Sequence, residues 1–182
     1  MIGPVTEIPE RPEGLPIGSD GQPTPAYFAW LMVAAAAGDV GAMANLGVAL
    51  HQRGDKAEGV RLLERALEAG SAAAGFNLGS FRWAESGQIE SAEALWKRAA
   101  DLGDVDAMLG LVRIALRRDV SAAAAARPLV ASLIARDEPF ILVALALDIH
   151  GAGDKSTAIR LLERAVELDY VPASSHLARL RS

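Results

Sequence analysis

The chain has 182 residues, of which 51% are hydrophobic, 23% charged and only 5% aromatic. The hydrophobic share comes mostly from Ala and Leu, which are strong helix formers, so the composition favours an all-α protein with one domain or one short repeat array. The net charge of -5 argues against a general nucleic-acid-binding protein, which needs a basic surface to neutralise phosphates. The absence of Cys excludes disulfides and thiolate metal sites.

Residues 1–25 are predicted to form an extended, Pro- and Gly-rich tail that precedes a repeat domain over residues 26–182. Six of the nine prolines lie in this tail, and Pro is not tolerated inside a helix. The tail also carries regularly placed apolar residues, which predict that it docks along the helical body or its groove: Ile2, Val5, Ile8, Leu15 and Ile17.

The tail lacks the basic start and apolar core of a secretory signal. Elsewhere in the sequence, no apolar stretch reaches the roughly 18 residues that a membrane span requires. We therefore expect a cytoplasmic protein without a membrane partner.

An internal repeat dominates the rest of the chain. Residues 54–68 read GDKAEGVRLLERALE and residues 153–167 read GDKSTAIRLLERAVE, 99 residues or three units of 33 further on. Residues 38–47 resemble residues 70–79, and residues 103–108 begin a further copy. This periodicity predicts a half-repeat helix over 26–37, four helix pairs over 39–168 and a terminal helix near 172–180. The predicted fold is a right-handed superhelical α-solenoid of about four helix-turn-helix repeats with a capping helix.

Gly and Pro residues mark the predicted helix ends. Gly38, Gly70 and Gly103 each follow the second helix of a pair, where Gly commonly closes a helix in the left-handed conformation. Pro128 falls inside the second helix of the third repeat, where it predicts a kink or a late helix start.

The motif Ala-x-x-x-Leu-Gly in the first helices resembles Sel1-like repeats, of which tetratricopeptide repeats are close relatives. Residues 42–47 and 74–79 carry the motif in full, whereas Ala107 with Leu111 and Ala173 with Leu177 carry part of it. Gly47 and Gly79 are expected where the two helices of a pair approach closely. The sequence lacks the longer Gly-rich loop of Sel1 units and the Trp and terminal Pro of tetratricopeptide units. The resemblance implies an adaptor that holds a peptide in a concave groove lined by first helices.

Candidate catalytic motifs have simpler interpretations. The sequence GAGDKST over residues 151–157 is similar to a phosphate-binding loop, but Asp154 separates Gly from Lys and the preceding segment reads as helix. His51 and His150 are three repeats apart and are interpreted as equivalent surface positions that cannot share a metal, and His176 has no ligand partner at i+4. We predict no enzymatic activity, no cofactor and no metal site.

Apolar residues at helical spacing are predicted to form the core: Trp30, Leu31, Leu62, Leu63, Leu95, Trp96, Leu161 and Leu162. Phe76, Trp83 and Phe140 differ, because they lie on first helices that the resemblance turns toward the groove. Two interpretations remain open for these aromatic residues, namely ligand binding and core packing.

The functional prediction is a groove that binds an acidic peptide or a C-terminal carboxylate. The proposed contacts are first-helix residues: His51, Gln52, Phe76, Ser80, Trp83, Arg113, Arg117 and His150. Arg113 and Arg117 are i, i+4 neighbours that could bind a carboxylate, but they could instead pair with Asp104, Asp106 or Asp119 on a solvated surface. The alternative function is a self-associating module, or one domain of a larger assembly, with no independent ligand. The first interpretation requires a protein or peptide partner, and both allow a homo-oligomer.

Overall fold

The computed structural model describes residues 8–13, 16–19, 21–86 and 88–182. Within these ranges the chain forms helices and no β-strand, apart from an isolated antiparallel bridge between Ile17 and Pro23. The helices are α1 (Pro25–Ala36), α2 (Val40–Gln52), α3 (Lys56–Glu68), α4 (Ala72–Ser86), α5 (Ile89–Asp101), α6 (Val105–Arg118), α7 (Val120–Ala125), α8 (Arg127–Ala135), α9 (Pro139–Gly151), α10 (Lys155–Glu167) and α11 (Val171–Arg181). The predicted all-α class is confirmed. Of these helices, none is long and apolar enough to cross a membrane.

The helices follow the predicted repeat. Helix α1 is the half-repeat, α2 with α3 and α4 with α5 form the first two pairs, and α9 with α10 forms the fourth. In the third repeat, α6 contacts two short helices, α7 and α8, and the terminal helix α11 packs against α10. The predicted half-repeat, helix pairs and terminal helix are therefore confirmed.

The chain divides into two compact units. The N-terminal unit ends at Asp104 and contains α1 to α5, and the C-terminal unit begins at Val105 and contains α6 to α11. Each unit has its own apolar core, centred on Leu31, Leu63 and Leu78 in the first and on Leu133, Ile141, Leu142, Leu145 and Leu162 in the second. All the predicted core residues are buried except Trp30 and Leu95, which are partly buried.

Second helices end in a left-handed residue. Gly38, Gly70 and Gly103 have φ of 95°, 92° and 92°, as their sequence positions predict. Asp137 after α8 and Asp169 after α10 take the same role with φ of 51° and 58°. Asp is among the few residues other than Gly that visit this region routinely, because its short polar side chain can bond locally.

Pro128 divides the second helix of the third repeat. Helix α7 ends at Ala125, and α8 begins at Arg127 with Pro128 in its first turn. Pro lacks the N–H needed inside a helix, but it is accommodated in a first turn, where the N–H groups have no intrahelical acceptor. The predicted interruption is confirmed.

Candidate functional site

His51, the first predicted groove residue, is buried between α2 and α4. Its ring is 8% exposed and stacks on Phe81 at a centroid distance of 3.5 Å and an interplanar angle of 6°. Its Nε2 lies 3.3 Å from a Glu85 carboxylate oxygen, but without the geometry of a hydrogen bond. Glu85 also accepts a hydrogen bond from Lys56, which lowers the pKa of the Glu85 carboxyl. The prediction that His51 and His150 are equivalent surface positions is wrong, because His150 alone is exposed.

Phe76, Ser80 and Trp83 lie on the side of α4 that faces α5. Phe76 and Trp83 stack on Trp96 at centroid distances of 6.3 Å and 5.7 Å. Trp96 Nε1 donates a hydrogen bond of 3.0 Å to the Phe76 carbonyl, which also accepts one of 2.9 Å from the Ser80 hydroxyl. These contacts give the two aromatic rings a packing role, and both rings remain partly exposed.

Gln52 is exposed at the end of α2 and contacts the N-terminal segment. Its Oε1 accepts a hydrogen bond of 3.3 Å from Gln22, and the adjacent Arg53 donates one of 3.4 Å to the Pro23 carbonyl. The Arg53 guanidinium also lies 3.8 Å from the centroid of the Phe28 ring, a cation–π contact. An open cavity of about 420 Å³ lies between this segment, at Pro16, Ile17, Gly21 and Pro23, and helices α1, α2 and α4.

Pro9 and Arg11, which lie further toward the N-terminus, contact α1. Trp30 Nε1 donates a hydrogen bond of 2.8 Å to the Pro9 carbonyl. The Arg11 guanidinium lies 5.0 Å from the Tyr27 ring centroid and 6.0 Å from that of Trp30. Of the apolar tail residues predicted to dock, Ile2, Val5 and Leu15 lie outside the described residues, and Ile8 and Ile17 are each 44% exposed. This segment is therefore held on α1 by the hydrogen bond to the Pro9 carbonyl and by the cation–π contacts of Arg11.

In the C-terminal unit, Arg113 forms a two-point ion pair with Asp148. Its Nε and Nη2 donate hydrogen bonds of 2.8 Å and 3.1 Å to the two carboxylate oxygens, and these bonds raise the pKa of the guanidinium. The Asp148 side chain is only 12% exposed, so the pair joins α6 to α9 in a partly desolvated position. The partner of Arg113 is therefore Asp148, rather than any of the three Asp residues considered from the sequence.

Helix α9 presents an apolar surface to solvent beside this ion pair. Phe140 and Leu147 are two helical turns apart on one side of α9 and are 49% and 40% exposed. His150 is exposed one turn after Leu147. We call Phe140, Leu147 and His150 the α9 surface.

Arg117 lines a cavity of the C-terminal unit. This open cavity of about 600 Å³ is formed by the end of α6, by α7 and α8, and by the turn between α9 and α10. Arg117, Arg118 and Arg127 line it together with apolar side chains. Arg117 therefore lines this cavity and Arg113 pairs with Asp148, although the two arginines are one helical turn apart.

The chain resembles known proteins in its structure. Neither a protein-family model nor the sequence of a curated protein matches the chain. Among solved structures, it is similar to a Sel1 repeat protein from Oxalobacter formigenes, with a TM-score of 0.64 and 22% identity over 85% of this chain and 68% of that one. It is also similar to a protective antigen of uropathogenic Escherichia coli strains that displays an SLR fold, with a TM-score of 0.62 and 19% identity. That match covers 85% of this chain but only 36% of the antigen.

The chain has a Sel1-like repeat fold. The fold that the resemblance of Ala42, Leu46 and Gly47 implies is therefore confirmed. Identities of 22% and 19% establish this fold alone, so the binding residues must be argued from the geometry of this chain.

Several residues that shape these surfaces of the Sel1-like fold were missed from the sequence. Phe81 covers His51, Asp148 binds Arg113 and Arg53 holds the N-terminal segment. Each contact joins residues 30 or 35 positions apart, which is about one repeat. Comparing residues one repeat apart for complementary chemistry could have found Asp148, but no local motif marks Arg53.

Proposed function

We propose that this protein is an interaction scaffold that binds a peptide or protein segment on the first helices of its repeats. The observation that supports this best is the N-terminal segment itself. Gln22 and Pro23 contact the C-terminal end of α2, where Arg53 binds the Pro23 carbonyl and Gln52 binds the Gln22 side chain. The same side chains could bind an extended segment of another protein, since the contacts depend on little sequence information.

In the C-terminal unit, the α9 surface is the proposed peptide site. Phe140 and Leu147 supply apolar anchors, and His150 lies beside them with a polar ring. Arg113 binds Asp148, the residue that follows Leu147, so an incoming carboxylate has to share this guanidinium with Asp148. A peptide with apolar side chains and an acidic or carboxylate end therefore fits the site, with the apolar contacts giving most of the affinity.

The other predicted residues have a supporting role in this proposal. His51, Phe76, Ser80 and Trp83 pack α2, α4 and α5 together, which keeps the exposed first-helix residues in place. We propose a binding function and not a catalytic one, and a cytoplasmic location.

The experiment is a selection of displayed peptides with free C-termini against the full-length protein, followed by measurement of affinity for individual peptides. The double variant Phe140→Ala, Leu147→Ser should weaken binding at least about tenfold, as expected for the loss of two buried anchors. Val171→Ser is the matched control, because Val171 is an apolar residue of the same unit that is 80% exposed on α11.

Amidation of the peptide C-terminus tests the carboxylate. It should weaken binding, and the difference between the free and amidated peptides should shrink as salt concentration rises. If the double variant binds selected peptides as well as the wild type does, the α9 surface is not the site. If no displayed peptide binds to either unit of the protein, the proposed function itself is refuted.

Self-association is a second candidate function, and α1 supplies the observation that favours it. This helix contains no charged residue from Pro25 to Ala36, yet Met32 and Val33 are 55% and 37% exposed. A helix that is apolar on all sides is normally buried on all sides. Sedimentation velocity should then reveal a dimer that Met32→Glu dissociates and Val171→Glu does not. A monomer at high concentration excludes this function.

A further inference from the structure

The cavity at the end of α6 combines an apolar floor with a basic rim. Leu116, Val130, Ile134 and Ile149 supply apolar lining from three helices, and Ile134 is 37% exposed there. Its volume of about 600 Å³ falls within the roughly 300 to 1,000 Å³ usual for small-molecule sites. The cavity can therefore enclose a short hydrocarbon chain or a ring.

Guanidinium groups outnumber carboxylates around this cavity. Arg117, Arg118 and Arg127 line it, against Asp119 and Asp154. Among the residues that the structure describes, neither Arg117 nor Arg127 has an ion pair or a hydrogen bond from its side chain. Arg127 is also the first residue of α8, where the helix macrodipole disfavours a cation. The side chains of Arg117 and Arg127 are therefore available to an anion that enters the cavity.

Both carboxylates already have partners. Asp154 Oδ1 accepts a hydrogen bond of 2.9 Å from the Thr157 backbone N–H at the start of α10. This bond holds the pKa of the Asp154 carboxyl below its ordinary value, so the group caps its own helix as an anion. Arg160 contacts Thr157 from the next turn and adds a further positive charge nearby.

The break at Pro128 explains why this end of the repeat is open. In the first, second and fourth repeats, a single helix of 13 residues packs along the first helix of its pair. In the third, helices of 6 and 9 residues replace it. The cavity lies where these two short helices meet the end of α6 and the turn between α9 and α10.

We propose that the cavity lined by Leu116, Ile134 and Arg127 binds a small amphipathic anion, namely a short apolar group that carries one carboxylate. The apolar part lies against Leu116, Val130 and Ile134, and the carboxylate accepts hydrogen bonds from Arg117 and Arg127. This site does not depend on peptide binding at the α9 surface, because neither Arg127 nor the apolar lining belongs to that surface.

The probe is octanoate, titrated into the full-length protein and followed by amide NMR shifts. Shifts should concentrate on residues 116–118, 127–134 and 154–157, and affinity should rise about three- to fourfold per methylene from butyrate to octanoate. Octanol, which has the same chain without the charge, should bind at least about threefold more weakly.

Two variants test the site directly. Arg127→Gln should weaken octanoate binding about three- to tenfold and leave octanol binding unchanged, and Ala131→Trp, which fills the cavity from an exposed helix position, should weaken both. Arg136→Gln is the matched control, because this exposed Arg of the same unit pairs with Glu138 outside the cavity.

Three results would overturn the proposal. They are octanoate shifts that map elsewhere, equal affinities for octanoate and octanol, and unchanged octanoate binding in both Arg127→Gln and Ala131→Trp. Peptide binding by the same variants should remain at the wild-type level, so this proposal and the proposed peptide function fail separately.

Discussion

Gly47 of α2 and Gly59 of α3 are in direct backbone contact where the two helices of the first repeat cross. A Cβ placed on Gly59 would lie 2.5 Å from the Gly47 carbonyl oxygen and 2.8 Å from the His51 backbone nitrogen. A Cβ on Gly47 would lie 2.8 Å from Leu63 Cγ. The sequence prediction of a close helix approach at Gly47 is confirmed, and Gly59 proves to be its partner.

Gly59→Ala should lower the free energy of unfolding by about 1 to 3 kcal/mol. The nearest atoms belong to backbone, so α3 itself has to move away from α2, and the higher helix propensity of Ala offsets only part of that loss. Urea unfolding measures the change. Gly151→Ala is the control, because a Cβ at Gly151 meets no atom within 4 Å and should raise stability by up to about 1 kcal/mol. Equal stability of the two variants would contradict this account.

The repeat architecture could be predicted because residues that pack in the same way recur at a fixed spacing along the sequence. Residues 54–68 and 153–167 are identical at 10 of 15 positions, and both form a second helix with a buried Leu-Leu pair, at positions 62–63 and 161–162. Gly38, Gly70 and Gly103 mark helix ends because Gly adopts positive φ most easily. Asp137 and Asp169 carry no such signal, since Asp is found in many other conformations.

The candidate site was harder to predict, because each side chain takes its environment from the neighbouring repeat. His51 is buried by Phe81 and Glu85 of α4, whereas the residue 99 positions after Phe81 is Leu180. Repeat position alone therefore made His51 and His150 look equivalent. Arg113 posed the same difficulty, because its partner Asp148 lies 35 residues away on α9.

Replacement of these two histidines should therefore have unequal effects. His51→Ala removes a stacked, buried ring and should lower the free energy of unfolding by about 1 to 3 kcal/mol. His150→Ala changes an exposed position and should stay within about 0.5 kcal/mol of the wild type. Both variants make the same exchange in a helix, so thermal unfolding compares the buried, stacked environment of His51 with the exposed one of His150. A similar loss in both would indicate that His150 is also buried in the folded protein.

The left-handed aspartates offer a comparison of backbone strain with ion pairing. Asp169→Gly should raise the free energy of unfolding by up to about 1 kcal/mol, because Gly takes positive φ without strain. Asp137→Gly relieves the same strain but also removes the carboxylate that binds the Arg164 side chain on α10. At neutral pH it should therefore be the less stable of the two variants.

The pH dependence of Asp137→Gly separates these two effects. Hydrogen bonds from Arg164 lower the pKa of Asp137 in the folded protein, so the ionised carboxylate stabilises the fold above its ordinary pKa. That contribution is lost as the pH falls through the lowered pKa. Relative to the wild type, Asp137→Gly should gain stability between about pH 5 and pH 2 in urea titrations. A constant difference over that range would show that the ion pair has no influence on stability.

Arg53 is expected to control the N-terminal segment, because it contacts both the segment and α1. Its guanidinium donates a hydrogen bond to the Pro23 carbonyl and stacks on the Phe28 ring. Within the segment, the Gly18 N–H donates to the Gln22 carbonyl and the Thr24 N–H donates to the Pro16 carbonyl. Arg53→Ala should release the segment from α2 and speed hydrogen exchange at the Gly18 and Thr24 amides several-fold, since these bonds depend on the docked geometry. Exchange within the core of α3 should not change.

Arg61→Ala is the control, since Arg61 is an exposed residue of the same unit that pairs with Glu58. If the Gly18 and Thr24 amides exchange equally fast in the wild type and in Arg53→Ala, Arg53 does not hold the segment on α2, and the observation supporting peptide binding on that helix is lost.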